Sequence, residues 1–327
     1  MLGNAAMQRK AISLSNIVFK WDCYPTFYGS QYALCPEDQC LFDIPDKKTE
    51  AALVPLRAAA EALERFGGRN PSKRAFLYLV PDNQNIPGAP VAPLVANALS
   101  YPQMLSVVRS ECSNAVVIDG GVSYDQFLEG WYRTDHHWNI QGAYAAYTKI
   151  AQAMGLKVDA ARTMDIISYG GIQFRGTLAR RSLDDSFFDV LTDIKTDSEQ
   201  DLLVSVDGGE TGGPELLVRR DAYDRGWYGG NRFTSHYGEY FNFGPGLVTI
   251  RNTSNHSGSG LLVIADSFSS CLDRFFAENY EFVYMLDPRN SNKTANQLLD
   301  ENESIVDVLV LMCRSNFVAQ STINALV

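Results

Sequence analysis

The sequence predicts an α/β protein, a parallel sheet with helices on both faces and a β-rich segment inserted at about 192–260. Three observations predict it. Short, wholly apolar runs such as Leu261 to Ala265 have the character of strands buried on both faces, without the alternation of a half-exposed sheet. Amphipathic helical stretches separate these runs, and strand-helix-strand alternation builds a parallel sheet covered on both sides. With 327 residues, 46% of them hydrophobic, the chain can bury a substantial core.

Residues 1–47 read as a loop-rich start, and 48–327 as one α/β domain carrying the insertion. Lys48 to Phe66 reads as a helix stopped by Gly67-Gly68, and Ala75 to Val80 as a strand broken by Pro81. A helix around Tyr101 to Ser110 leads to a strand at Ala115 to Ile118. Apolar residues at 143, 147, 150, 151 and 154 follow a helical stripe, with Asn139 as N-cap and Gly155 as the stop. The Gly-rich stretch from Thr192 to Gly260 contains β-like pieces at Glu215 to Arg219 and Leu247 to Arg251 and reads as an inserted hairpin region. Strands then follow at 261–265, 282–286 and 305–312, with Cys271 to Glu278 continuing from the first of them as a helix.

Chemistry concentrates at Asp135-His136-His137-Trp138, on the loop entering the helix that Asn139 caps. In an extended segment alternate side chains share a face, so Asp135 and His137 are expected to face one pocket while His136 points away. A carboxylate beside an imidazole fixes its tautomer and stabilises the imidazolium formed when it takes a serine proton. The nucleophile candidate is Ser267 in Ile264-Ala265-Asp266-Ser267-Phe268-Ser269, at the carboxyl end of a buried strand, where backbone N–H groups can face a developing oxyanion. Taken alone, Asp-x-His also reads as a structural hydrogen bond or a pair of metal ligands, and Ser267 as a capping serine.

Tyr132 to Asn139 with Gly142-Ala143-Tyr144 resembles the signature of the DHHW-motif family, SGNH hydrolase-like proteins related to the AlgX/AlgJ-type alginate O-acetyltransferases. The resemblance continues through Leu261 to Ser269, Leu286-Asp287-Pro288-Arg289 and Ile305 to Met312 with Arg314, and so spans roughly residues 70–320. It implies an SGNH hydrolase-like (flavodoxin-like) sheet, Ser267 as nucleophile, His137 as base and Asp135 as the orienting acid. It implies as well a carbohydrate acceptor, an acyl donor, a membrane acyl-transfer partner protein and an extracytoplasmic setting. Ala265 departs from the Gly that usually precedes Asp-Ser in the superfamily block, which bears on the turn. The base preceding the nucleophile in the chain agrees with these relatives.

Around this core, Phe174-Arg175-Gly176-Thr177-Leu178 is similar to a family Gly-Ser/Thr element, with Gly176 offering a backbone N–H to the oxyanion or forming a simple turn. Arg289 and Arg314 follow buried strands and are substrate or oxyanion candidates or surface charges. Trp138 is expected to stack on a sugar or to pack. Trp227, Tyr228, Tyr237, Tyr240 and Phe241 offer an acceptor platform or fill a satellite core.

A formal charge of −10 argues against general nucleic-acid affinity, which phosphates reserve for Lys- and Arg-rich surfaces. No metal or other cofactor is expected: there is no Cys-x-x-Cys pair, and the four histidines form no second close pair. Cys35 and Cys40 are near enough in sequence to bridge, with Cys23 close by, and Cys112, Cys271 and Cys313 read as buried thiols. The longest apolar runs are too short to span a membrane, and the first ten residues lack an apolar signal core. Two functions remain open: a serine O-acetyltransferase or O-acetylesterase on a cell-surface or extracellular polysaccharide, and a catalytically silent carbohydrate-binding or assembly protein on the same fold.

Overall fold

A computed structural model describes residues 24–25, 32–158, 165–182, 188–226, 235–242 and 244–327. In chain order the strands are β1 (Tyr24–Pro25), β2 (Tyr32–Cys35), β3 (Cys40–Asp43), β4 (Arg74–Val80), β5 (Val116–Ile118), β6 (Ile166–Ser168), β7 (Thr192–Ile194), β8 (Leu202–Val206), β9 (Leu247–Asn252), β10 (Gly260–Ala265), β11 (Phe282–Leu286) and β12 (Ile305–Cys313). Seven of them form the central sheet in the order β5-β4-β12-β10-β11-β9-β8. β5, β4, β12, β10 and β11 are mutually parallel, whereas β9 joins β11, and β8 joins β9, antiparallel. The fold class is therefore the expected one, and the insertion extends the sheet at one edge.

The period-two geometry of a strand sorts the core into two layers. Phe76, Tyr78, Leu261, Val263, Leu309 and Leu311 pack on one face with the helices Tyr124–Gly130 and Ile140–Met154. Leu77, Leu79, Leu262, Ile264, Val308 and Val310 pack on the other with the helices Glu50–Arg69, Tyr101–Glu111 and Ala295–Glu301. Every residue of β10 is buried, and each fully buried Leu, Val or Ile contributes about 1.5–3 kcal/mol. This anchors the strand whose end carries Ser267.

Several boundaries differ from the sequence reading, each for a physical reason. The first helix runs through Gly67-Gly68 to Arg69. A Cβ on Gly67 would lie 2.5 Å from the Asn114 carbonyl oxygen, so this glycine serves a close approach and not a stop. Cys271 to Glu278 contains only a 3₁₀ turn at Ser269–Cys271 and a single helical turn at Asp273–Phe276. Within the insertion Glu215 to Arg219 is not a strand: Pro214 opens a 3₁₀ turn, and a short helix follows at Arg220–Asp224. The start of the chain, read as loops, contains β1, β2 and β3 as an antiparallel sheet. Cys35 is disulfide-bonded, but Cys40, opposite it in register, is a free buried thiol, so the 35–40 bridge is not formed. Cys23 lies outside the described residues. Cys271 and Cys313 are free and buried, and Cys112 is half-buried.

Candidate active site

The Asp-His-His-Trp loop is pinched at its base. Trp131 and Trp138 form an antiparallel bridge, and the Asn139 N–H donates to the Gly130 carbonyl at 2.9 Å. Asn139 Oδ1 then accepts from the N–H groups of Gln141 and Gly142, capping the helix as its position predicts, and Gly155 ends it at φ 72°. The helices on either side cross at two glycines, because a Cβ on Gly142 would stand 2.0 Å from the Gly130 oxygen. Asp189 holds the loop from outside, accepting the N–H groups of Arg133 and Thr134 at 2.9 and 2.8 Å and the Thr134 hydroxyl.

Ser267 occupies the turn beyond β10. Asp266 shapes that turn: its carboxylate accepts the Phe268 N–H at 3.0 Å, the Cys313 N–H at 2.9 Å and Asn316 Nδ2 at 2.8 Å, tying the serine to the end of β12. Ala265 closes β10 outside the positive-φ residues, so the superfamily glycine is not needed for backbone freedom here. The Trp138 indole N–H donates to the Phe268 carbonyl at 3.0 Å. Trp138 is completely buried, so it packs and positions this turn; it presents no face to a sugar.

The two segments meet in one line of hydrogen bonds. Ser267 Oγ lies 2.7 Å from His137 Nε2, and His137 Nδ1 lies 2.6 Å from Asp135 Oδ1. Asp135, 2% exposed, also accepts the N–H groups of His137 at 3.0 Å and Thr177 at 2.5 Å. Burial alone would raise this carboxyl, but the imidazoles of His136 and His137 and these hydrogen bonds hold it well below the usual carboxylate range. It is charged at neutral pH, as an acid orienting an imidazolium must be.

His136 departs from the alternation argument. The segment bends, so its ring lies 4.0 Å from that of His137, tilted by 37°, and lines the same cleft with about a third of the side chain (36%) exposed. Desolvation and the neighbouring His137 push it down to about 4, so it is neutral at pH 7. Asp135, His136 and His137 bring three ligand atoms within 4.8 Å of one another. Both His137 nitrogens are already engaged, so binding a metal through either would break its bond to Asp135 or to Ser267.

Other site candidates settle into different roles. The Gly176 N–H donates to Thr134 Oγ1 at 3.0 Å and is not available to an oxyanion. Its missing Cβ is what matters, since one would lie 2.2 Å from Asp135 Cβ. Thr177 supplies the N–H that fixes Asp135. Arg289 is gripped by Asp287 at 2.6 and 2.9 Å and borders the same cleft as Ser267 and His137. Arg314, ion-paired with Asp46, borders a second part of that cleft. The Ser267 N–H has no hydrogen-bond acceptor among the described residues.

The cleft has a volume of about 700 Å³ on the Arg314 side and about 440 Å³ on the Arg289 side. Sequence reasoning missed Asp43, Asp46, Asp82 and Asn83 in its lining, because they come from the end of the short strand β3, from loops and from a 3₁₀ turn, with no periodic signal. Burial and the nearby Asp43 push Asp82 up to about 7. Tyr237, Tyr240 and Phe241 are buried and fill core, so they offer no acceptor platform; Trp227 and Tyr228 lie outside the described residues. Among the described residues no helix is long and apolar enough to cross a membrane.

No protein-family model matches this chain, and no curated protein matches it in sequence. Solved structures do match in fold. A DHHW family protein from Eubacterium siraeum superposes with a TM-score of 0.69 at 18% identity, covering 90% of this chain and 94% of that one. Bacillus cereus PatB1, in a structure with a sulfonyl adduct, superposes at 0.68 and 18% identity over 87% of this chain and 96% of its own. The O-acetyltransferase domain of Pseudomonas putida AlgJ matches at 0.42 and 12% identity over 89% and 90%, too loosely to carry an argument. The first two likenesses establish the shared fold.

Proposed function

We propose that this protein is a serine-dependent O-acetyltransferase or O-acetylesterase acting on a cell-surface or extracellular polysaccharide. The observation that carries the reading is the unbroken hydrogen-bonded line from Ser267 Oγ through His137 to Asp135, opening on a cleft of polar lining. In this reading His137 Nε2 takes the Ser267 proton as Oγ attacks the acetyl carbonyl carbon. The oxyanion is met by the Ser267 N–H and the Arg289 guanidinium, groups held in place before charge develops. The carbonyl re-forms, the donor's oxygen leaves with the proton from His137, and Ser267 carries the acetyl group. A sugar hydroxyl or water then gives its proton to His137, attacks the ester and restores the serine.

The mixture of carboxyls from Asp43, Asp46 and Asp82 with guanidiniums from Arg181, Arg289 and Arg314 in the cleft lining suits a polyhydroxylated acceptor, whose hydroxyls both donate and accept. The disulfide at Cys35 supports an oxidising, extracytoplasmic compartment. Delivery of the acetyl group by a membrane partner protein belongs to the same proposal.

A chromogenic acetyl ester, offered with and without oligosaccharide acceptors to the wild type and Ser267→Ala, tests the reading. Turnover lost in Ser267→Ala, with an acetyl adduct seen by intact mass in the wild type, supports it. No turnover and no adduct, with sugar binding unaffected by Ser267→Ala, would assign the protein to carbohydrate binding instead.

A further inference from the structure

The inserted segment reaches the reacting pair through Tyr237. Tyr237, on the short helix His236–Tyr240, lies almost parallel to the His137 ring, with centroids 3.9 Å apart and planes at 11°. The same side chain donates its hydroxyl to the Ser267 carbonyl at 3.0 Å. One residue thus touches both the imidazole and the backbone of the nucleophile. Its helix is pinned in turn: the Tyr240 hydroxyl donates to Asp193 at 2.8 Å, the Tyr240 carbonyl accepts the Arg219 N–H, and Asp193 is ion-paired with the fully buried Arg274 just beyond the nucleophile turn.

We propose that Tyr237 is a positioning residue for the reaction, whose ring face holds the His137 imidazole in line with Ser267 and stabilises the imidazolium formed as the serine proton is transferred. The inference rests on the acyl-transfer reading above. An aromatic face is electron-rich and attracts positive charge, most strongly where water is excluded. As the base of the acyl-transfer reading, His137 gains a positive charge when it takes the serine proton, so the attraction grows along the reaction and acts on kcat and not on KM. Burial raises the Tyr237 phenol well above its ordinary value, so the hydroxyl stays protonated and keeps its bond to Ser267. With 1% of its surface exposed, Tyr237 makes its contribution through the imidazole and not through the substrate.

The test compares two side chains of nearly one shape at this position. Tyr237→Phe keeps the electron-rich face and loses the hydroxyl; Tyr237→pentafluorophenylalanine, introduced by suppression, keeps the shape and reverses the charge distribution of the face. The fluorinated protein should turn over a chromogenic acetyl ester with kcat about tenfold below that of Tyr237→Phe, with KM and melting temperature matching. Labelling of Ser267 by a sulfonyl fluoride should slow in the same order. Equal kcat in the two variants, or a change in KM alone, would overturn the inference. If the wild type turns over the ester and Ser267→Ala does not, a flat comparison removes this inference only. A wild type that neither turns over nor labels would remove the acyl-transfer reading and this inference with it.

Discussion

Replacing Gly176 by alanine puts one methyl group against the acid of the proposed triad. Its Cβ would stand 2.2 Å from Asp135 Cβ, 2.6 Å from Asp135 Cα and 2.5 Å from the Thr134 carbonyl oxygen. Carbon atoms settle at about 3.5 Å or more, so the two segments must part by about 1.3 Å. The displaced residue makes a 2.6 Å bond to His137 and a 2.5 Å bond to the Thr177 N–H, and neither survives such a shift. A misplacement of about 1 Å costs on the order of 100-fold in rate, and overpacking costs about 1–3 kcal/mol of stability. Gly176→Ala should therefore lower kcat on an acetyl ester about 100-fold at temperatures well below its melting point, with a modest fall in melting temperature. Gly171→Ala is the control, because no atom lies within 4 Å of its added Cβ; it should behave as wild type. A Gly176→Ala protein with kcat within about threefold of wild type and an unshifted melt would show that close packing at Asp135 does not govern the rate.

Two further predictions follow from the charges. His137→Ala should lower kcat more than about 10³-fold, whereas His136→Ala, which removes a neutral ring from the cleft wall, should act mainly on KM; equal losses of kcat in two folded variants would reject that division. Asp273 is buried with Oδ1 lacking a partner, and burial pushes it up to about 7 although Arg274 opposes the shift. A carboxyl raised on folding binds its proton more tightly in the native state, so its contribution to stability declines as pH rises from about 4 to 7. Asp273→Asn should flatten that decline and raise the melting temperature at pH 8, and a thermal scan across pH showing an unchanged slope would contradict it.

The central strands were legible because β10 and β11 are apolar runs and β4 and β12 are apolar apart from Arg74 and Asp307, and Asn139 and Gly155 bracket their helix with ordinary capping chemistry. The direction of β8 and β9 was not legible: a strand added antiparallel at an edge has the same local pattern as a separate hairpin. Proximity of Asp135, His137 and Ser267 could be expected from the motifs, but the facing of His136 could not, since alternation holds only in extended backbone. Tyr237 was visible only as one of a group of aromatics, with nothing to place it against His137 and Ser267. It lies in a short helix without apolar periodicity, and its contacts arise only when the insertion packs on the sheet.

The turn that carries Ser267 depends on residues 47 and 50 positions beyond Asp266. Asp266 is held by the Cys313 N–H and the Asn316 amide, and Ser267 faces a histidine 130 residues upstream in sequence. A chain emerging amino-terminus first can bury β4 and the helix behind the Asp-His-His-Trp loop early, but Ser267 acquires its anchor only after β12 has been delivered and threaded between β4 and β10. Anchoring the proposed nucleophile thus waits for β12. A product cut short before β12, however well its first half folds, carries Asp135 and His137 without an anchored Ser267.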